Sequence, residues 1–268
     1  MTRIDRRALF STGAAAALLA ATGVSLDAAP KAGGTLRLAV PKDGSLDCVA
    51  RGAMFDTLTE IAPDGTLRGE LAQSWHSSDE ARIWTFDLRA DVMFHDGAPL
   101  RPEDVIQALT RLPDLASIET VADHQLRVEL TNSTPGLPFT LADDAFCITR
   151  DQTIGTGCYR AVHLQEGRNF RGAKIKNHYK AGQAGWLNQI EVIMIPNANV
   201  RAEALRDGYV DVAALPAPSG LRERAKYRYH PSERDMALAV ADTVGLPRQV
   251  SIRAALDDGR IAERWWMT

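Results

Sequence analysis

The chain is poor in three features that mark particular classes of protein: cysteine, aromatic residues and an excess of one charge. Its 268 residues include three cysteines and 6% aromatic residues, and 31 Lys plus Arg nearly balance 34 Asp plus Glu. The net charge of -3 supplies no clustered basic field, which disfavours nucleic-acid binding. Apolar residues at 45% and charged residues at 24% match a globular chain of one or two domains.

The few cysteines also limit the chemistry of the chain. Cys48, Cys147 and Cys158 lie far apart and form no CxxC pair, so a tetrahedral zinc site is not expected. In an oxidising compartment one disulfide can form, with three possible pairings. The alternative is three reduced, buried thiols, and spacing alone leaves both open.

Catalytic motifs are absent as well. The sequence has no GxSxG, HExxH, GxxxxGK or GxGxxG pattern, and its six histidines are scattered singly. The pairs Asp143-Asp144 and Asp257-Asp258 are adjacent along the chain rather than facing one another. We therefore expect a protein that is not an enzyme and that has neither a cofactor nor a metal site.

The first thirty residues have the layout of an export signal. Arg3, Arg6 and Arg7 precede the uncharged run Ala8–Leu26, which is rich in Ala and Gly. The Arg6-Arg7 pair resembles a twin-arginine signal, so residues 1–29 are predicted to direct the chain to the periplasm. The alternative is an uncleaved signal that tethers the chain to the membrane, because the uncharged run approaches spanning length.

Hydrophobic periodicity in the remaining chain predicts a mixed α/β or α+β fold with mixed sheets. Thr35–Val40 and Ile83–Leu88 alternate as half-buried strands, and Ile190–Ile195 is apolar enough to be buried on both faces. Leu100–Leu112 is predicted as a helix that Pro102 begins. Further strands are predicted at 118–121, 125–130, 145–149, 158–164, 173–177, 210–213 and 236–241, and helices at 197–206 and 247–266.

Two adjacent tryptophans, Trp265 and Trp266, lie at the end of the last predicted helix. Large rings at such a position bury apolar surface against something, because exposing them to water is unfavourable. Either the helix end packs on the protein's own core, or the two rings form a contact with a partner.

Eight short segments occur in an order that resembles one protein family. They are Gly33–Val40, Met54–Glu60, Asp64-Gly65, Leu71–Trp75, Trp84–Arg89, Val92–Gly97 with Glu103–Val105, Gly155–Tyr159 and Leu205–Val212. Together they resemble the extracytoplasmic solute-binding proteins of peptide, nickel and opine ABC importers, the dipeptide/oligopeptide-binding family 5.

This resemblance implies a non-catalytic, hinged, two-lobed protein with a periplasmic binding protein-like fold that delivers a peptide or other small polar solute to an importer permease. Members are about twice as long, so we expect a shortened form that lacks most of the second lobe. Implied domains are a first lobe at 30–50 and 155–230, an inserted subdomain at 51–154, and a second-lobe remnant at 231–268 that ends in a helix. A single lobe would leave a solute half exposed.

The resemblance also implies a ligand surface and a disulfide. The implied ligand residues are Asp43, Ser45, Asp47, Arg150 and Asp242, of which the last replaces an Asn that the family usually carries. Cys48 and Cys158 both replace prolines near the expected domain crossover, and a bridge between them is the implied pairing.

A rival hypothesis is an accessory protein that has lost its solute. In that case the shortened scaffold docks a protein partner at the membrane, and Trp265 and Trp266 are the candidate contact residues.

Overall fold

The computed structural model describes residues 30–216, 221, 227–230, 237–247, 256 and 260–268. The predicted signal at 1–29 therefore lies outside the described residues. Within the described part of the chain, no helix is both long enough and apolar enough to cross a bilayer.

A seven-stranded mixed sheet forms the larger part of the fold. Its central strand β1 pairs in parallel with β10 on one side and with β11 on the other, and all other pairs are antiparallel. The order across the sheet is β12-β13-β11-β1-β10-β9-β8. The strands are β1 Thr35–Val40, β8 Tyr159–Gln165, β9 Asn169–Lys174, β10 Gln189–Met194, β11 Val212–Leu215, β12 Tyr227–His230 and β13 Ala237–Ala241.

Helix α1, Ser45–Met54, packs on one face of this sheet against β8, β9 and β10 and buries Leu46, Val49 and Ala53 in the main core. The chain enters it through Gly44, whose φ of 91° is the left-handed conformation that glycine adopts without strain. This helix was not predicted from the sequence, in which Asp43, Ser45 and Asp47 are implied ligand residues. The signal was present, because the buried positions recur at helical spacing.

The segment between α1 and β8 folds as a separate subdomain with its own apolar core. The inserted subdomain implied at 51–154 covers the same segment, and its bounds stay a prediction. A four-stranded antiparallel sheet of order β4-β5-β7-β6 packs against helix α2, Pro102–Leu109. The remaining elements are β2 Thr59–Ile61, β3 Leu67–Gly69, β4 Ala72–Ser78, β5 Ile83–Leu88, β6 Leu115–Ala122, β7 Gln125–Leu130, α3 Leu137–Thr140 and a 3₁₀ turn at Asp144–Phe146.

Several predicted elements form with the expected type, one has a different type and one is shifted along the chain. The strands at 35–40 and 83–88, the hairpin of β6 and β7, and the helix at 197–206 are confirmed, the last as α4, Ala198–Arg206, capped by Asn197. The predicted strand at 145–149 is wrong. Asp143 accepts a hydrogen bond from the backbone N–H of Ala145 and begins a 3₁₀ turn instead. The strand predicted at 173–177 lies earlier, as β9.

The C-terminal part of the described chain packs on the main sheet and its core, and the assignment of 231–268 to a second-lobe remnant stays a prediction. Strand β13 pairs with β11 inside the main sheet. Short strands β14, Val244–Gly245, and β15, Trp266–Met267, pair with each other. Of the helix predicted at 247–266, the described residues contain one short helix, α5, Ile261–Arg264, and residues 248–255 and 257–259 lie outside the description.

The main sheet has two ends that matter for function. We call the end where β1 finishes the Val40 edge and the end where β1 begins the Thr35 edge. Met54 accepts a hydrogen bond from the backbone N–H of Gly157, so the inserted subdomain leaves and rejoins the lobe at the Thr35 edge. The C-terminal segment lies at this same edge, since a Cβ on Gly34 would come within 2.7 Å of Met267.

Candidate functional site

The five implied ligand residues are divided among three places. Asp43, Ser45 and Asp47 follow β1 and lie at the Val40 edge, while Asp242 follows β13, which runs antiparallel to β11 and ends at the Thr35 edge. Six residues of β1 separate the two edges, about 20 Å at the usual rise of a strand. Asp242 is therefore not adjacent to Asp43, and the ligand role implied for these residues stays a prediction.

The three residues after β1 have structural duties. The Asp43 carboxylate accepts a hydrogen bond from the backbone N–H of Ser45 at 3.0 Å and so forms the turn that begins α1. Ser45 is buried, and Asp47 lies in the first helical turn, where a negative charge complements the helix dipole. Asp47 is the one of the three that also lines a cavity.

Arg150 is held inside the subdomain. Its guanidinium lies 3.5 Å from Asp96 and 3.3 Å from Asp104, and its Cζ lies 4.6 Å from the centre of the Phe94 ring. About a third of the side chain is exposed. These contacts fix the local loops of the subdomain and account for the residue without a solute.

A cavity of about 520 Å³ runs along α1. Asp47 and Arg51 line it from the helix, Asp151 lines it from the returning subdomain chain, and Glu166 lines it from the β8–β9 turn. The guanidinium of Arg51 is already engaged, because it donates to the Asp144 carbonyl at 2.8 Å. The cavity is large enough for a small polar solute.

A buried ion-pair network lies at the Thr35 edge, and none of its residues was expected from the sequence to form a site. Lys180 is its first centre. Its ammonium lies 3.1 Å from Asp56 and 3.4 Å from Glu263, and it also bonds to Glu70. All three carboxylates are buried, so their charges have little water to stabilise them and depend on this partner.

Arg260 is the second centre of the network. It forms two hydrogen bonds to the carboxylate of Glu70, one of them at 3.1 Å, and a third to Glu60 at 3.3 Å. Arg264 extends the network with an ion pair to Glu60 at 3.5 Å. The network thus joins the inserted subdomain, Lys180 and the C-terminal segment.

Burial and ion pairing act in opposite directions on the acids of this network. Burial alone would raise the pKa of Glu70, but Arg260 and Lys180 outweigh it and hold that pKa well below the ordinary value. Burial raises the pKa of Glu263 to about 7, against the attraction of Lys180 and Arg260. Glu263 is therefore the acid of the network that titrates near neutral pH.

Asp56, Glu70 and Glu263 offer oxygen atoms within 4.8 Å of one another, a separation that suits a metal ion. The Lys180 ammonium contacts all three carboxylates, however, and supplies the positive charge that such a group requires. The arrangement is that of an ion-pair network rather than of a metal centre.

No disulfide joins Cys48 and Cys158 in this structure, and the implied bridge between them stays a prediction. The Cys158 sulfur instead lies 3.6 Å from Nδ1 of His178, whose Nε2 is 2.7 Å from the Thr156 carbonyl oxygen. Burial raises the pKa of the Cys158 thiol well above its ordinary value, which disfavours the nucleophilic thiolate.

The two tryptophans are buried within the chain. Trp265 is 0% exposed in the main core and Trp266 is 6% exposed. The alternative in which the helix end packs on its own core is therefore the arrangement observed, and the proposed partner contact through these rings is corrected.

The residues of the ion-pair network were missed because they are far apart in sequence. One local signal was available: Arg260, Glu263 and Arg264 share a short segment with two tryptophans that must be buried. Charged residues beside a buried apolar pair are seldom solvated, and they need partners when they are buried.

The mixed sheet with a subdomain inserted after its first strand and helix defines the class of periplasmic binding protein-like folds. Within that class, residues 66–241 match bacterial extracellular solute-binding proteins, family 5, and the chain belongs to this family. The family consists of solute-binding proteins rather than enzymes, in agreement with the non-catalytic role expected from the sequence.

Curated relatives agree with the family. The chain is 26% identical over 242 residues to the probable D,D-dipeptide-binding periplasmic protein DdpA of Escherichia coli, covering 75% of this chain and 46% of the relative. It is 25% identical over 246 residues to the nickel-binding periplasmic protein of E. coli, covering 78% and 46%. The chain thus spans about half the length of these two relatives.

Solved structures share the fold. The binding protein MoaA from A. tumefaciens R10, in complex with mannopinic acid, matches with a TM-score of 0.67 at 19% identity, covering 75% of this chain and 50% of that one. DppA from Helicobacter pylori, in complex with the peptide STSA, matches with a TM-score of 0.63 at 22% identity, covering 69% and 47%.

Proposed function

We propose that this protein is a solute-binding component of an ABC importer and that it presents a peptide or another small polar solute to the permease of that importer. The observation that supports the proposal is the family match over residues 66–241, on a fold whose relatives bear the names of peptide-binding and nickel-binding proteins. The role is to bind and release, so it needs complementary polar groups and no catalytic residue.

We propose export to the periplasm as the location of this function. Its support is the signal layout of residues 1–29, together with the two curated relatives, which are named as periplasmic proteins. The twin-arginine character of the signal and its cleavage remain predictions. They are tested by expressing the full chain with Arg6 and Arg7 replaced by Lys and by measuring the periplasmic fraction.

We propose the cavity along α1 as one place where the solute contacts this lobe. Asp47 is the implied ligand residue that lines it, and Asp151 and Glu166 add two further carboxylates. These three acids face one arginine, Arg51, which favours a solute with a positive group such as a free amino terminus.

The experiment is a thermal-shift screen of the purified chain against di- and tripeptides, nickel and sugars. A saturable rise in Tm with one class supports the proposal, because a ligand that binds only the folded state stabilises it by linkage. Asp47→Asn should weaken that rise, whereas Asp64→Asn, a matched change at an exposed turn, should not. Flat responses to every class would refute solute binding.

The accessory role remains a second hypothesis, although Trp265 and Trp266, its candidate contact residues, are buried in this structure. Its test is co-purification from a membrane fraction. A stable complex that forms without any solute response would favour it over transport.

A further inference from the structure

The C-terminal segment of the described chain, residues 260–268, is attached to the lobe by contacts of two kinds. One kind is apolar and short, namely Trp265 in the core and the two-residue pairing of β14 with β15. The other kind is ionic, through Arg260, Glu263 and Arg264. The segment covers part of the Thr35 edge, where Asp242 also lies, since the Thr268 backbone N–H donates to the Thr243 carbonyl at 2.8 Å.

The groups around Arg260 have the geometry of a guanidinium receptor, which we call the Arg260 socket and define as Thr57, Glu60 and Glu70. Glu70 receives both terminal nitrogens of Arg260, Glu60 lies 3.3 Å from Nη1, and the Thr57 hydroxyl lies 3.5 Å from Nη2. Two parallel N–H bonds to the two oxygens of one carboxylate require the planar, forked guanidinium group, and an ammonium group does not provide this geometry. All three socket residues are buried.

The socket is held in shape by residues outside the C-terminal segment. The Glu70 carboxylate accepts hydrogen bonds at 2.8 Å from both the backbone N–H and the hydroxyl of Thr57. Arg68 pairs with Glu60 at the half-exposed rim, and Arg89 donates to the Glu70 carbonyl. The receptor therefore does not depend on Arg260 for its geometry.

Charge around the socket requires a cation at the Arg260 position. Without Arg260, three buried carboxylates, those of Asp56, Glu70 and Glu263, would share the single ammonium of Lys180. A second buried positive group restores the balance, and the guanidinium fork fits the bonding positions of Glu70.

The seating of the C-terminal segment is incomplete. Glu263 Oε1, Trp265 Nε1 and the facing Tyr179 hydroxyl are buried atoms that make no hydrogen bond to the described residues. Glu263 and Tyr179 also line a cavity of about 130 Å³ beside Lys180. Unsatisfied polar atoms destabilise the docked state, in which they are buried, and so reduce the free energy needed to release the segment.

We propose that the Arg260 socket is a binding site for the guanidinium group of a solute and that residues 260–268 are its exchangeable internal occupant. A guanidinium-bearing molecule, such as an arginine-containing peptide or a simple alkylguanidine, replaces Arg260 on Glu70 and releases the segment. This inference rests on the proposed solute-binding function and names a chemical class of solute for it.

The probe is agmatine, with two matched controls: putrescine, in which an ammonium replaces the guanidinium, and N-carbamoylputrescine, its neutral urea isostere. Binding to the full chain is measured by calorimetry, and hydrogen exchange of the amides of residues 261–267 is followed with and without the probe. We expect saturable binding of agmatine, at least tenfold weaker binding of both controls, and faster exchange in the segment when agmatine is bound.

Arg260→Lys keeps the charge while it removes the fork, so agmatine should bind this variant at least tenfold more tightly than it binds the parent chain. Arg206→Lys, a matched change on the exposed surface of α4, should leave the affinity unchanged. If Arg260→Lys does not fold, the hydrogen-exchange result on the parent chain decides alone.

Agmatine binding without faster exchange at 261–267, or equal binding of the urea isostere, would overturn the inference. If agmatine does not bind but another solute raises Tm in the screen, the inference fails and the solute-binding function stands. If no solute class binds at all, both fail.

Discussion

Replacing Lys180 with methionine tests whether the buried ion-pair network holds the subdomain, the lobe and the C-terminal segment together. Methionine has a similar length and no charge, so Lys180→Met leaves Asp56, Glu70 and Glu263 without the ammonium that all three contact. Breaking a buried pair by removing one partner costs about 3–5 kcal/mol, because the remaining charge is buried and uncompensated.

The loss should appear as a lower Tm in thermal unfolding. For a chain of this size, 1 kcal/mol corresponds to roughly 2–4 °C, so the variant should melt about 6–20 °C below the parent. Two of the three carboxylates keep another hydrogen-bond or ion-pair partner in the variant. Asp56 retains a 2.9 Å hydrogen bond from Thr156, and Glu70 retains Arg260, which places the expected loss at the lower end of that range.

Two control variants make the measurement decisive. Lys176→Met makes the same chemical change at an exposed position of the same segment and should shift Tm by less than about 2 °C, as expected for a surface substitution. Adding Asp56→Asn to Lys180→Met removes one of the stranded charges and should recover part of the loss. A Tm of the Lys180→Met variant equal to that of the parent would refute the assignment of the network as structural.

Three further predictions follow from single sites. The pKa of Glu263 is raised to about 7, so protonation of Glu263 stabilises the fold fully below about pH 4.5, and this stabilisation is lost as pH rises through 7. Glu263→Gln should therefore flatten the decline in Tm between pH 5 and 8, and a profile equal to that of the parent would contradict this prediction. Trp265→Ala should lower stability by about 3–5 kcal/mol in urea unfolding, since the ring is fully buried, and a loss below about 1 kcal/mol would place it outside the core. Gly157→Ala should destabilise the subdomain junction, because the new Cβ would lie 2.5 Å from the Ala53 carbonyl oxygen. Gly167→Ala is the steric control, since there is open space around Gly167, although the positive φ of that residue adds a small loss of stability.

The local sequence pattern was sufficient to predict a helix or strand where residues close to it in the sequence stabilise it. The strict alternation of Ile83–Leu88 predicted a strand with the same bounds, and the helix predicted at 197–206 forms as α4, which the Asn197 side chain caps. It failed at α1, where polar residues in the first turn were interpreted as ligands and obscured the spacing of Leu46, Val49 and Ala53. Side chains that begin a helix and side chains that bind a solute are of the same types, so sequence does not separate them.

The position of Asp242 shows a second limit. A strand has the same pattern whichever way it runs, and only pairing with β11 decided that Asp242 lies at the Thr35 edge rather than beside Asp43. The ion-pair network is a stronger case. Lys180 and Arg260 both bind Glu70, which lies more than a hundred residues from each of them, and no local spacing encodes such a contact.

The sequence alone determined the class of this protein: a mixed α/β chain without catalytic motifs whose ordered short segments identify solute-binding proteins of family 5. Those properties depend on local periodicity and segment order, both of which are written along the chain. Tertiary structure decided which edge each polar residue occupies, that the tryptophans face inward, and that Arg260 fills a socket of buried acids. These are properties of distant residues brought together, and their energies come from burial, which exists only once the chain has folded.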